Sequence, residues 1–161
     1  MYDFGYVAAT FFPEDIQELK ELVEEACSSE DFYEQKGDVT HKSHLTFLYG
    51  ICENELDRGE LESYIKSIDL KELKIDGLIL IPAHKDFQVL SLNVVDSNGR
   101  LKSIHEDLKQ FPFEPTVQFE TFVPHLAIAY VKPNFKLDQN KKLDIPTKLR
   151  IKEIKYFGIQ G

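Results

Sequence analysis

The stretch SHLTFLYG at Ser43–Gly50 decides how this chain is read, because its pattern returns far downstream in FVPHLAIAY at Phe122–Tyr130. Each copy has a His-Leu pair, then a small residue, then an apolar tail of strand type. In a strand, residues two apart point the same way. Strict alternation therefore sets His44 and Thr46 on one face and Leu45 and Phe47 on the other. In the second copy it groups His125, Ala127 and Ala129, with Leu126, Ile128 and Tyr130 opposite. One face belongs to a core, and the other can floor a groove of small residues beside a histidine. The copies sit one in each half of the chain, so two similar half-domains facing each other is the expected geometry. They differ at one position that matters: where the first has Thr46, the second has Ala127.

The surrounding elements follow from periodicity. Tyr6–Phe12 alternates like a strand, and Pro13 opens a helix in which Ile16, Leu19, Leu22, Val23 and Ala26 recur at three and four. The polar run from Ser28 to Asp38 reads as a loop before the Ser43–Tyr49 strand. A second helix is expected over Asn54–Ile68, delayed or broken at Gly59, with Leu61, Tyr64, Ile65 and Ile68 on one face. Leu73–Ile81 and Phe87–Val95 are two β runs expected to pair across the Pro-bearing PAHKD connection. The turn-rich DSNG at Asp96–Gly99 leads into a helix through Leu101, Ile104, His105 and Leu108, which Phe111–Pro115 stops. Strands at His125–Val131 and Leu149–Ile159 flank a lysine-rich loop at Asn134–Thr147. Helices interleave with strands without strict βα alternation, which predicts an α+β fold with a mainly antiparallel sheet. With 161 residues, the expectation is one domain over 1–161.

Composition narrows the partners. At 42% hydrophobic and 29% charged residues, with no apolar run near the roughly 20 residues that span a bilayer, no membrane partner is expected. The first residues lack the basic and small-residue signature of a secretory signal, so a cytoplasmic location is expected. A formal charge of −9 disfavours long duplex nucleic acid, whose phosphates call for a basic track. A small anionic ligand needs only a few local donors and stays compatible. Cys27 and Cys52 show no metal-knuckle or disulfide spacing and read as structural, Cys27 as a buried thiol on the first helix.

Two histidines brought together from two strands suit phosphoryl transfer. One removes a proton from an attacking hydroxyl while the other protonates the departing oxygen, and an imidazole pKa near about 6.5 keeps both forms available. This chemistry requires no metal and no cofactor. A hydroxyl two residues after the histidine can donate to a phosphate oxygen as charge develops there; Thr46 has one and Ala127 does not.

These motifs resemble those of the 2H phosphoesterase family, whose members carry two His-x-Thr/Ser motifs on adjacent central strands of a bilobal, pseudo-twofold fold. The likeness extends to YVAATFFPEDIQELKELVEE, LILIPAHKDFQVLSLNVV and RLKSIHEDL, and so to nearly the whole chain. It implies metal-independent action on ribonucleotide phosphodiesters: 2′,3′-cyclic phosphates, 2′–5′ oligonucleotides or cyclic oligonucleotides. By position, His44 and His125 would be the acid–base pair, Thr46 a phosphate donor, and Ala127 the departing fourth position. The loss of one such donor costs about 10²–10³ in rate, which implies an attenuated enzyme, a substitute donor, or a pocket kept for binding as a sponge or sensor. Compact length and acidic charge also resemble the small phage-type members that destroy cyclic oligonucleotide defence signals.

Other residues carry weaker readings. Tyr6, Thr10 and Phe12 share one face of the first strand, with core packing the reading for all but one of them and Tyr6 and Phe12 the candidates to stack on a base. Glu153 and Tyr156 are lesser candidates. His41, His44 and Cys52 do not make a metal site, because three-residue spacing in a strand turns the two rings apart. His84 and His105 read as solvated or packing residues, and Lys136–Lys142 as a solvated loop.

Overall fold

A computed structural model describes residues 4–33, 43–82, 85–118, 121–137 and 143–159. His41, His84 and most of the 136–142 lysine run lie outside the described residues. The element order is the one the periodicity predicts: β1 (Gly5–Phe11), α1 (Pro13–Ala26), β2 (His44–Ile51), α2 (Arg58–Ser67), β3 (Glu72–Pro82), β4 (Gln88–Val95), α3 (Arg100–Leu108), β5 (His125–Val131) and β6 (Lys148–Phe157).

Local chemistry sets the boundaries. Pro13 occupies the first turn of α1, where its missing N–H costs nothing, with Glu14 and Asp15 beside the positive end of the helix. Phe12, with extended backbone, therefore lies just past the end of β1, against the strand expected through Phe12, and stands as the residue before the helix. The second helix is shorter than its apolar spacing suggests. Glu53–Glu55 form a separate 3-10 turn, and α2 begins only where the Asp57 carboxylate accepts from the Glu60 N–H at 3.1 Å. Gly59 lies inside its first turn. Before α3, Gly99 adopts a left-handed φ of 69°, and the Asp96 carboxylate accepts from Leu101 N at 2.8 Å and Lys102 N at 3.0 Å.

Among the described residues, six strands form one antiparallel sheet in the order β2-β1-β6-β3-β4-β5, an α+β fold as expected. That order is symmetric about the β6–β3 junction: β1 matches β4 and β2 matches β5. The histidine-bearing strands are thus outermost in hydrogen-bond order, not adjacent central strands. They meet because the sheet curls over, and Ser43 Oγ donates to the Ala127 carbonyl at 3.1 Å. The helices and the loops after them exchange sides. Helix α3 packs on β2 and α1 on β5. The segment after α1 runs along β5 (Tyr33 N to Tyr130 O, 3.0 Å), and the segment after α3 runs along β2 (Glu114 N to Gly50 O, 2.8 Å).

The core gathers Val7, Ala9, Phe11, Leu45, Phe47 and Leu48 from the first half, Leu90, Leu92, Leu126 and Ile128 from the second, and the apolar stripes of the helices. Cys27 ends α1 and is half-buried against that core. Among the described residues, no helix is long and apolar enough to cross a membrane.

Candidate active site

The faces of β2 and β5 follow from cross-strand register. On β2, His44 lies opposite Thr10, Thr46 opposite Ala8 and Tyr49 opposite Tyr6. Phe47 is an extra residue between the Thr46 and Leu48 rungs, a β-bulge that reverses the alternation. It explains why Phe47 and Leu48 are both buried and why Tyr49 rejoins the His44 face. On β5, His125 lies opposite Asn93, Ala127 opposite Ser91 and Tyr130 opposite Val89, with Ile128 the inserted residue. The two strands repeat each other down to the position of the bulge.

That bulge corrects the alternation expected for the second copy. Ala129 does not join the His125 face; it is 8% exposed and in the core, whereas Tyr130 is turned to the His125 side. The cause is backbone geometry: one inserted residue flips every side chain after it.

Three rungs of side chains cross the first half of the face. Glu153, Thr10 and His44 make one, Lys155, Ala8 and Thr46 the next, and Phe157, Tyr6 and Tyr49 the third. Tyr6 sits between two rings, 4.8 Å from Phe157 at 10° and 5.2 Å from His44 at 26°. The imidazole of His44 is thereby held against a stack. Lys155 Nζ lies 4.7 Å from the Phe157 ring and 3.9 Å from Glu153, a cation on the same face as Thr46 in a chain of net negative charge. In the second half, Phe87 meets Tyr130 edge-on at 5.2 Å and stacks with Tyr33 at 5.3 Å, an aromatic group at the level where the first half has Tyr6 and Tyr49.

His125 is half-buried, and its Nδ1 lies 2.8 Å from the Val123 carbonyl. A carbonyl only accepts, so Nδ1 carries the hydrogen and the neutral ring keeps its lone pair on Nε2. The chemically available atom is therefore defined. His105 makes the same kind of bond, Nδ1 to the carbonyl of the bulge residue Phe47 at 2.6 Å, and stacks on Phe122 at 4.6 Å; it braces the bulge as a packing residue.

Not every candidate converges here. Phe12 lies past the end of β1 with the Arg150 guanidinium 4.4 Å over its ring, and Arg150 is in turn held by both Asp15 oxygens at 3.1 Å. Tyr156 is opposite Val7, on the core side, and donates to Glu53 at 2.9 Å beneath Arg58. Burial first, and then the bond to Glu53, push its phenol up, so it holds its proton at neutral pH. The site gains three residues that periodicity does not mark: Ser43, which ties the two motifs together, and Asn93 and Lys155, which the register brings beside His125 and Thr46; Thr10, on the Tyr6 face as expected, lies opposite His44.

A symmetric curled sheet with a histidine at the same rung of each outer strand defines a 2H phosphoesterase-like fold. Solved structures share it. A crystal structure of a phosphoesterase superposes with a TM-score of 0.61 at 11% sequence identity, over 96% of this chain and 87% of that one. Kluyveromyces marxianus Usb1 superposes with a TM-score of 0.62 at 12% identity, over 98% of this chain and 94% of that one. No family model matches the sequence, and no curated protein does either. The likeness is one of fold.

Proposed function

We propose that the chain forms a single 2H-type unit over residues 1–161 that cleaves a phosphodiester in a small ribonucleotide without a metal. The observation that carries this reading is the mirrored pair of rungs, Thr10–His44 and Asn93–His125, on strands joined by the Ser43–Ala127 hydrogen bond. The fold shared with a phosphoesterase supports it.

In the proposed reaction the free ribose hydroxyl next to the phosphodiester, the 2′ in a 3′–5′ linkage and the 3′ in a 2′–5′ linkage, attacks phosphorus. Its proton passes to one imidazole as the new P–O bond forms. The opposite P–O bond breaks as the second histidine, protonated, gives its proton to the departing oxygen, leaving a 2′,3′-cyclic phosphate. Hydrolysis of such a product reverses the two roles. Thr46 donates to a non-bridging oxygen, and Lys155 adds positive charge on the same face. The substrate class is a cyclic oligonucleotide, a 2′–5′ oligonucleotide or a 2′,3′-cyclic phosphate, and a cytoplasmic role against cyclic oligonucleotide defence signals fits it.

Ala127 favours a second reading, a sponge or sensor that holds the nucleotide without turning it over. One experiment separates them. The protein is incubated with linear 2′–5′, linear 3′–5′ and cyclic oligonucleotides, then denatured, and the nucleotides are resolved by chromatography. New products, unaffected by EDTA and with a bell-shaped pH dependence, support the enzyme. Full recovery of intact bound ligand supports storage, and activity abolished by chelator removes the metal-independent mechanism.

A further inference from the structure

The rung that holds Thr46 in the first half is Ala8–Thr46, and the equivalent rung in the second half is Ser91–Ala127. The two rungs contain the same pair of groups, a methyl side chain and a hydroxyl side chain, with their strands exchanged. Directly opposed residues of an antiparallel pair project to the same side of the sheet as near neighbours. Ser91 is therefore on the face of Ala127 and His125, at the level along the strand where Thr46 stands beside His44.

A second observation singles out this serine. Ser91 is 0% exposed, and among the described residues its Oγ is the buried side-chain polar atom without a hydrogen-bond partner. Burying a hydroxyl unpaired is unfavourable, and alanine at that position would be at least as stable. A hydroxyl kept at a cost to folding on the strand face that carries His125 is explained by a partner that arrives from outside the chain. Rotation about χ1 re-aims the oxygen without moving the backbone. Shielding from water strengthens the bond that it then makes.

We infer that Ser91 supplies the hydroxyl that Ala127 lacks, donating from β4 to a non-bridging phosphoryl oxygen opposite the one served by Thr46 from β2. This rests on the phosphodiesterase reading above. The two donors then come from different strands of their respective halves, and the site has its full complement of hydroxyls despite the alanine.

The test uses the full chain and whichever oligonucleotide of the panel the wild type cleaves, with single-turnover rates, KM and thermal midpoints measured for Ser91→Ala, Ala127→Thr and the double variant. A donor that acts in the transition state lowers kcat by about 10²–10³ with little change in KM. Ser91→Ala is expected to show that loss with a thermal midpoint equal to or above the wild type's. Ala127→Thr alone is expected to add little, and in the Ser91→Ala background to recover most of the rate. Wild-type turnover by Ser91→Ala overturns the inference and leaves the enzyme reading standing, as does a large gain from Ala127→Thr alone. A joint fall in rate and midpoint that the second substitution fails to rescue assigns Ser91 to packing and also overturns it. If Ser91→Ala does not fold, Ser91→Cys, similar in volume and a weak donor, gives the same readout. A wild type that neither binds nor converts any member of the panel removes the enzyme reading itself, and this inference with it.

Discussion

Replacing Tyr6 by leucine tests whether the ring stack is what holds the first histidine. Tyr6 contacts Phe157 at 4.8 Å and His44 at 5.2 Å, both nearly parallel. Each aromatic pair contributes about 0.5–1.5 kcal/mol beyond its buried area, so Tyr6→Leu, which keeps apolar bulk but loses both pairs, is expected to cost about 1–3 kcal/mol. For a chain of this size that lowers the thermal midpoint by about 2–12 °C. The same change frees the imidazole to rotate, so kcat falls by more than the stability loss explains, at a temperature where the variant is folded. Tyr6→Phe keeps both ring contacts and is expected within about 1 kcal/mol of wild type. Circular dichroism melts and turnover of the cleaved oligonucleotide measure both effects. A Tyr6→Leu variant with an unchanged midpoint and rate would refute the reasoning, as would a Tyr6→Phe variant equally damaged, since the hydroxyl and not the stack would then matter.

Other outcomes follow from the same geometry. His44→Ala and His125→Ala are each expected to lower kcat by about 10²–10⁴ with the fold intact, read by turnover alongside circular dichroism. Gly50 has φ of +95°, and a Cβ there would meet Val117 Cγ2 at 2.7 Å and Gln118 Nε2 at 2.8 Å; Gly50→Ala should cost about 1–3 kcal/mol from the backbone alone, measured by urea unfolding. Tyr64 donates to Asp107 at 3.0 Å, and burial, then that bond, push its phenol up to about 12. Its folded value lies above the ordinary tyrosine value, so the stability that it contributes is complete below about pH 10 and is lost as pH rises from 10 toward 12. Tyr64→Phe should show a shallower fall in thermal midpoint across that window, and an identical slope would count against the assignment.

Local pattern carried the element order, because over several residues at a stretch each helix and strand buries alternate or helically spaced side chains, even where a bulge later shifts the face. It also marked His44, Thr46 and His125, because a histidine followed at two by a small residue has meaning inside one strand. What one strand cannot reveal is its neighbour. Asn93, Thr10, Lys155 and Ser43 reach the site through pairing between segments far apart in the chain, and no local period encodes that register. The bulges were partly legible. Phe47 and Leu48, two large apolar residues in succession, break the alternation of β2, whereas Ile128 and Ala129 leave a weaker trace in β5. Phe12 shows the reverse: Pro13 in the first helical turn already ends the strand before it.

The crossed packing has a consequence for biogenesis. During synthesis β2 emerges long before the stretch that pairs with its outer flank, Pro112–Glu114, and before α3, which covers its inner side. The amino-terminal half therefore leaves the ribosome with an open strand flank and uncovered hydrocarbon. It can complete its own interior only after the carboxy-terminal half has wrapped around it, which favours late, cooperative closure over stepwise maturation of two halves.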